Sequence, residues 1–190
     1  MNILYLGPDE PKIINILKKN KDSIISTHKK INIHSKIIQS TDFIVSYRYR
    51  HIIRKPVLEK FKNRAINIHI SLLPWNKGAD PNLWSFLEDT PKGVSIHYID
   101  EGIDTGDILV QKEIGFNNQE TLRTSYQKLS ELAYQLLGTY WQEIRAQKIE
   151  PQRQSEAGSF HYSKDRLKYE HLLRLGWDTP IHELIGKAKL

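Results

Sequence analysis

Between Ala65 and Ile70 every second residue is an isoleucine, Ile66, Ile68 and Ile70, with Ala65, Asn67 and His69 set between them. An extended strand of period two puts the three isoleucines on one face and brings the amide and the imidazole together on the other. Apolar runs at residues 2–6, 23–27, 42–46, 94–99 and 107–113 read as further strands, the last two as a hairpin-like pair. Residues 10–19, 56–62 and 81–88 read as short helices, the third with Pro81 at its first position and Leu83, Phe86 and Leu87 facing inward. From 120 to 149 there is no proline, and Leu122, Tyr126, Leu129, Ala133, Leu136, Tyr140 and Ile144 recur every three or four residues, which predicts one long amphipathic helix. Alternating strands and helices predict an α/β fold, a Rossmann-like doubly wound sheet. Residues 1–150 are expected to form the main domain and 151–190 a tail packed on it. In that tail a helix is expected over 164–175, capped by Ser163 and stopped by Gly176, with Trp177, Ile181 and Leu184 folding back on the body.

Pro74 and Gly78 end the 66–70 strand in a loop, which places Asn67 and His69 at its carboxyl end, where open α/β sheets keep their ligand crevices. Taken singly, these are ordinary polar residues at a strand end. Their neighbours along the chain set them apart: Asn67-Ile68-His69-Ile70-Ser71-Leu72-Leu73-Pro74 is succeeded by Gly78-Ala79-Asp80-Pro81, and then by Asp100-Glu101-Gly102-Ile103-Asp104-Thr105-Gly106-Asp107. This three-part pattern resembles the catalytic core of the folate-dependent formyltransferases, strongly over residues 40–115 and weakly on the flanks.

The resemblance implies N10-formyltetrahydrofolate as formyl donor and a fold shortened in its amino-terminal half. An amine attacks the formyl carbon, negative charge builds on the formyl oxygen, and a proton passes from the amine to N10. The resemblance gives Asn67 and His69 the part of oxyanion donors and Asp104 that of the carboxylate assisting proton transfer. Asp100 is the competing carboxylate and is otherwise assigned to the folate pocket. Gly102 and Gly106 let the backbone turn tightly around Asp104. The pterin head is expected between this loop and residues 47–53, where Arg50, His51 and Ile53 are the cofactor-binding candidates. Arg48 stands in that loop where many members of the family have glycine.

The chain has 190 residues and no cysteine, so neither a disulfide framework nor a thiolate zinc site is open to it. No apolar run approaches the roughly 18 residues of a membrane span. A cytoplasmic protein with no membrane partner is expected, with a homodimer allowed. Its charge is lopsided: 14 Lys and Arg stand against 5 Asp and Glu up to Arg64, and 14 against 17 beyond it. A solvated lysine-rich surface accounts for most of this, and an anionic ligand for the rest, with Lys29, Lys30, Arg48, Arg50 and Arg54 as candidates the sequence cannot rank. No interleaved stacking aromatics and no helix-turn-helix spacing suggest a nucleic-acid partner.

Within the family, methionyl-tRNA members carry a carboxyl-terminal barrel domain for which the residues after the tail leave no room. Glycinamide ribonucleotide members bind phosphate on a Gly- and Ser-rich turn after the first strand, whereas here that turn is Gly7-Pro8-Asp9-Glu10-Pro11, with two prolines and two negative charges. The expectation therefore falls on an enzyme formylating a carrier-activated amino sugar, nucleotide-linked or of the nonulosonic type, for surface glycan biosynthesis, with Trp75 either stacking on the sugar or base or serving as a lid or packing residue. Glycinamide ribonucleotide or another small amine as acceptor, a formyltetrahydrofolate hydrolase, and a non-catalytic folate- or sugar-binding protein are the alternatives. A metal hydrolase built from His69, His97, Asp100 and Asp104 matches no ligand spacing, and no metal site is expected.

Overall fold

The computed structural model describes residues 1–155 and 157–188. In chain order the elements are β1 (Asn2–Leu6), α1 (Pro11–Lys18), β2 (Ser23–Thr27), α2 (Lys36–Gln39), β3 (Phe43–Tyr47), α3 (Lys55–Lys60), β4 (Ala65–His69), β5 (Lys77–Gly78), α4 (Pro81–Leu87), β6 (Gly93–Tyr98), β7 (Ile108–Glu113), α5 (Leu122–Arg145) and β8 (Phe160–His161). Six strands form one sheet in the order β2-β1-β3-β4-β6-β7. The first four run parallel, while β6 is antiparallel to both β4 and β7.

The sheet is covered on both faces, as a mostly parallel sheet must be. Ile3 and Tyr5 of β1 enter one layer with Ile13 of α1 and Leu129, Leu136 and Trp141 of α5. Leu4 and Leu6, the alternate residues, enter the other layer with Ile38 of α2 and Val57 of α3. Ile66, Ile68 and Ile70 all join the first layer, as their period predicts, which turns Asn67 and His69 away from it. Each fully buried isoleucine contributes about 1.5 to 3 kcal/mol, so the register that aims the two polar groups is held by the burial of their neighbours.

Several boundaries differ from the sequence expectation. The long helix runs from Leu122 to Arg145 rather than from 120 to 149, because Thr121 and Thr124 form a reciprocal capping box at its start. At its other end Gln147 takes φ +53, outside the right-handed helical region. The expected helix over 164–175 is a 3-10 segment, Asp165–Leu172, and Ser163 does not cap it. Its Leu167 is 61% exposed, and with no residue of the segment buried there is little packing energy to favour α-helical geometry over tighter turns. α2, β5 and β8 went unread because four and two residues show no period.

The tail returns to the body at several points. Gln152 exchanges backbone hydrogen bonds with Ile108, at 2.7 and 2.8 Å. β8 pairs in parallel with β5, and Ile181 and Leu184 pack against Leu83, Phe86 and Leu87 of α4. Trp177, expected to fold inward with them, is instead 41% exposed and faces a cavity.

Candidate active site

Each strand of the parallel set delivers its carboxyl end to one side of the sheet, and a cavity of about 1340 Å³ opens there. Asn67, His69, His97 and Asp104 sit together on its wall. β4 supplies the first two. β6 supplies the third, since His97 pairs with Asn67 across the antiparallel ladder. The fourth comes from the loop between β6 and β7, where Asp104 takes φ +55 and swings across the strand ends. Gly106 permits that turn: a Cβ there would lie 1.9 Å from the carbonyl oxygen of Tyr98.

Asp104 is the hub. Its Oδ1 accepts from Asn67 Nδ2 at 3.1 Å and its Oδ2 from the backbone N–H of Gly78 at 2.9 Å. Two imidazole nitrogens face it, His69 Nδ1 at 3.6 Å and His97 Nε2 at 3.5 Å. Burial pushes the Asp104 carboxyl up, but the His69 charge, the hydrogen bond and charge of His97, and the Gly78 amide together outweigh it and hold the group well below the usual carboxylate range. The ionised form of Asp104 is thereby favoured.

The partners of the two rings fix which nitrogen carries a hydrogen. His69 Nε2 lies 2.9 Å from the carbonyl oxygen of Asn76 and His97 Nδ1 lies 2.7 Å from that of Tyr98. A carbonyl only accepts, so each of these nitrogens carries its hydrogen, which leaves His69 Nδ1 and His97 Nε2 as the other ring positions. Both point at Asp104. His97 Nε2 also lies 3.3 Å from Asn67 Nδ2, so a neutral His97 accepts from that amide.

The loop after β4 is rigid where it meets His69. Asn76 is fully buried at φ +55, and its side-chain carbonyl accepts from Thr90 Oγ1 at 2.8 Å while its backbone N–H donates to Ser159 Oγ at 3.0 Å. The tail reinforces the Asp104 loop as well, because Gln154 Nε2 donates to the carbonyls of Asp104 and Gly106 at 2.9 and 2.8 Å. The sequence pattern groups His97 with His69 and Asp104 only in the metal-hydrolase alternative, and it gives Asn76, Gly78 and Gln154 no such part. The pairing register of β4 and β6 and the route of the tail decide them, and no local pattern carries either.

At Gly78 the backbone has φ +87, and a Cβ would stand 2.4 Å from the carbonyl oxygen of His161. Gly78→Ala is therefore expected to push β8 off β5 and pull the Gly78 amide from Asp104. The result should be a lower melting temperature together with a turnover loss of about tenfold or more, as misplacement by an ångström can cost a hundredfold. Wild-type melting and turnover in this variant would show that the amide contact is dispensable.

Of the remaining candidates, Arg50, His51, Ile53 and Asp100 all line the cavity. Asp100 Oδ1 accepts from Gly102 N at 3.1 Å and Thr105 Oγ1 at 2.6 Å, so it shapes its own loop and makes no contact with either imidazole. Arg48 lines the cavity at φ +58, the left-handed conformation that a glycine adopts readily. Lys29, Lys30 and Arg54 are not on the wall, and neither is Trp75. The aromatic lining comes instead from Tyr47, Tyr49, Tyr126, Phe160, Tyr162 and Trp177. Among the described residues no group of three His, Cys, Asp or Glu is arranged to hold a metal ion, and no described helix is long and apolar enough to cross a membrane.

Comparison with known proteins gives three kinds of match. Residues 14–140 match the family described as formyl transferase. A methionyl-tRNA formyltransferase of Thermodesulfovibrio yellowstonii is 34% identical over 173 residues, 90% of this chain and 52% of that protein. The chain spans about half or less of the length of the curated relatives it matches. Among solved structures, the formyltransferase PseJ from Anoxybacillus kamchatkensis, in complex with UDP-4,6-dideoxy-4-formamido-L-AltNAc and tetrahydrofolate, is 51% identical with a TM-score of 0.97 over 100% of both chains. A sugar N-formyltransferase from a Shewanella species, 23% identical with a TM-score of 0.76 over 94% of this chain and 82% of that one, shares the fold.

Proposed function

The chain belongs to the formyl transferase family, and from that membership we propose that it transfers the formyl group of N10-formyltetrahydrofolate to the amine of a nucleotide-linked amino sugar. The observation that carries this reading is the convergence of Asn67, His69 and Asp104 at one point of the cavity wall. The similar PseJ structure is a complex with a 4-formamido sugar on uridine diphosphate and with tetrahydrofolate, the pair that formylation of a 4-amino sugar leaves behind. That favours a 4-amino sugar over glycinamide ribonucleotide here.

The site suits both substrates. At about 1340 Å³ the cavity exceeds the roughly 300 to 1,000 Å³ typical of a site for one small molecule. On one side Ile52 and Ile103 present apolar surface from the two loops assigned to the pterin, 67% and 42% exposed, with Arg50, His51, Ile53 and Asp100 close by in sequence. A flat heterocycle is held by such paired apolar faces, and its polar edge is met by backbone groups.

Donor chemistry requires an oxyanion to be stabilised and a proton to travel from the amine to N10. Of the two Asn67 Nδ2 hydrogens one goes to Asp104, and the other, which a neutral His97 Nε2 accepts, is the one that turns to the developing oxyanion, a contribution of about 3 to 4 kcal/mol in comparable sites. His69 offers its Nδ1 hydrogen when protonated, since Nε2 is committed to Asn76. Asp104, kept anionic, balances that charge and takes the amine proton, directly or through water. The catalytic domain over 1–150, a tail over 151–190 that completes its wall, a cytoplasmic setting and a homodimer belong to the same proposal; the mass in solution reads the last.

The test is release of tetrahydrofolate from N10-formyltetrahydrofolate with no acceptor, with a panel of nucleotide-linked 3-, 4- and 6-amino sugars, and with glycinamide ribonucleotide. Release that depends on a nucleotide-linked amino sugar is expected. Release without any acceptor would assign a hydrolase, and folate binding with silence across the panel would leave a binding protein.

A further inference from the structure

Gln154 of the tail does not line the cavity, yet it grips the loop that carries the catalytic carboxylate. Its Nε2 donates to the carbonyl of Asp104 at 2.9 Å and to that of Gly106 at 2.8 Å, so both amide hydrogens are spent on this turn. The reversed amide would set its oxygen against two carbonyls, which fixes its orientation. The turn needs holding, because Asp104 has φ +55, in the left-handed region that side chains disfavour. Gln154 is itself anchored two residues earlier, where Gln152 and Ile108 exchange backbone hydrogen bonds. Asp104 is therefore held at its carboxylate by Asn67 and Gly78 and at its backbone by Gln154.

His69 is fastened through a different stretch of the same tail. Its Nε2 donates to the Asn76 carbonyl, the Asn76 backbone N–H donates to Ser159 Oγ at 3.0 Å, and the Lys77 N–H donates to the Ser159 carbonyl at 2.9 Å. Gly158 lets the tail come this close: it has φ +125, and a Cβ there would stand 2.1 Å from the Pro74 carbonyl oxygen. Loosening the grip at Gln154 therefore shifts Asp104 while His69 stays, and changes the 3.6 Å between them. The grip adds little stability of its own. Among the described residues the Gln154 Oε1 is buried without a hydrogen-bond partner, a cost that offsets much of what two neutral hydrogen bonds gain.

Resting on the proposed function, we infer that Gln154 is a positioning residue for formyl transfer, acting through the backbone of Asp104 to hold its carboxylate against His69. It touches neither substrate. Its removal acts on turnover rather than on binding, since Asp100 keeps the start of the same loop in shape by its own bonds to Gly102 and Thr105.

Steady-state formyl transfer by the whole protein, in four variants, tests this. Gln154→Ala should lower kcat by about tenfold to a hundredfold, the scale of a small misplacement of a reacting group, and leave both KM values within about twofold. It should melt within about 4 °C of wild type. Gln154→Glu, of nearly the same size but without N–H donors, should lose as much. In the Asp104→Asn background the same Gln154→Ala change should cost less than about twofold, because the group it positions is gone. An equal loss in both backgrounds would mean that Gln154 acts on something other than Asp104. Wild-type kcat in either Gln154→Ala or Gln154→Glu would overturn the positioning role and leave the transferase reading standing. If wild type itself transfers no formyl group to any acceptor, both fall together.

Discussion

Asp104→Asn is expected to lower formyl transfer by about a thousandfold or more, combining the loss of a proton acceptor with the loss of charge balance for the imidazolium. The physical reason is the number of groups that depend on this one anion. Its two oxygens accept from Asn67 and Gly78 and face His69 and His97. An amide in the same place accepts on one side only, and its NH₂ group meets an N–H donor on the other. Asp100→Asn makes the informative contrast. That carboxylate is exposed and serves Gly102 and Thr105 of its own loop, so its replacement should cost turnover far less. The reverse order, with Asp100→Asn the more damaging, would move the proton chemistry to Asp100.

The same residue governs acid stability. Folding holds the Asp104 carboxyl below its ordinary value, so the folded state favours the ionised form. Its stabilisation is complete above the unfolded carboxylate pKa of about 3.9 and is lost as pH falls through and below that value toward the folded pKa. Wild type should therefore lose its advantage over Asp104→Asn progressively below about pH 5, and melting curves for the two should converge on acidification. A gap that stays constant with pH would mean that the carboxylate contributes no linked stability.

Asn67→Ala and His69→Ala are each expected to cost about a hundredfold to a thousandfold in turnover, with the double variant far short of the product because both donors serve one oxyanion. Stability separates the two. Asn67 is half-buried beside the cavity, and its truncation removes one of two donors from the Asp104 carboxylate, so melting should fall modestly. Removing His69 strips the Asn76 carbonyl of its donor in a buried loop, at a cost of about 1 to 3 kcal/mol. Near-wild-type turnover in both single variants would remove these residues from the chemistry.

Much of this arrangement is legible in the chain because burial enforces it. The Ile66, Ile68 and Ile70 period fixes which way Asn67 and His69 face, and the glycines at 102 and 106 mark a tight loop around Asp104. Arg50, His51, Ile53 and Asp100 reach the cavity because they follow strands whose carboxyl ends are fixed by the sheet order. Part of the basic character of the amino-terminal third goes into contacts within the fold, such as Lys60 on the Ile38 carbonyl, Arg64 on those of Asp42 and Lys60, and Lys12 on Glu131. What escaped the sequence depends on long-range pairing. His97 joins the site through its register with Asn67, Asn76 acts through a backbone carbonyl, and Arg166 and Trp177 line the cavity from a tail distant in sequence. Trp75 was the more conspicuous aromatic by position, yet the loop turns it off the wall.

The most direct measurement tracks the formyl carbon itself. Incubating the whole protein with N10-formyltetrahydrofolate labelled with carbon-13 in the formyl group, and with a uridine-diphosphate-linked 4-amino sugar, should place the label in a formamide on the sugar nitrogen, and Asp104→Asn should leave the sugar unlabelled under the same conditions. Label recovered as free formate at the same rate with and without the sugar would contradict the account and make water the acceptor.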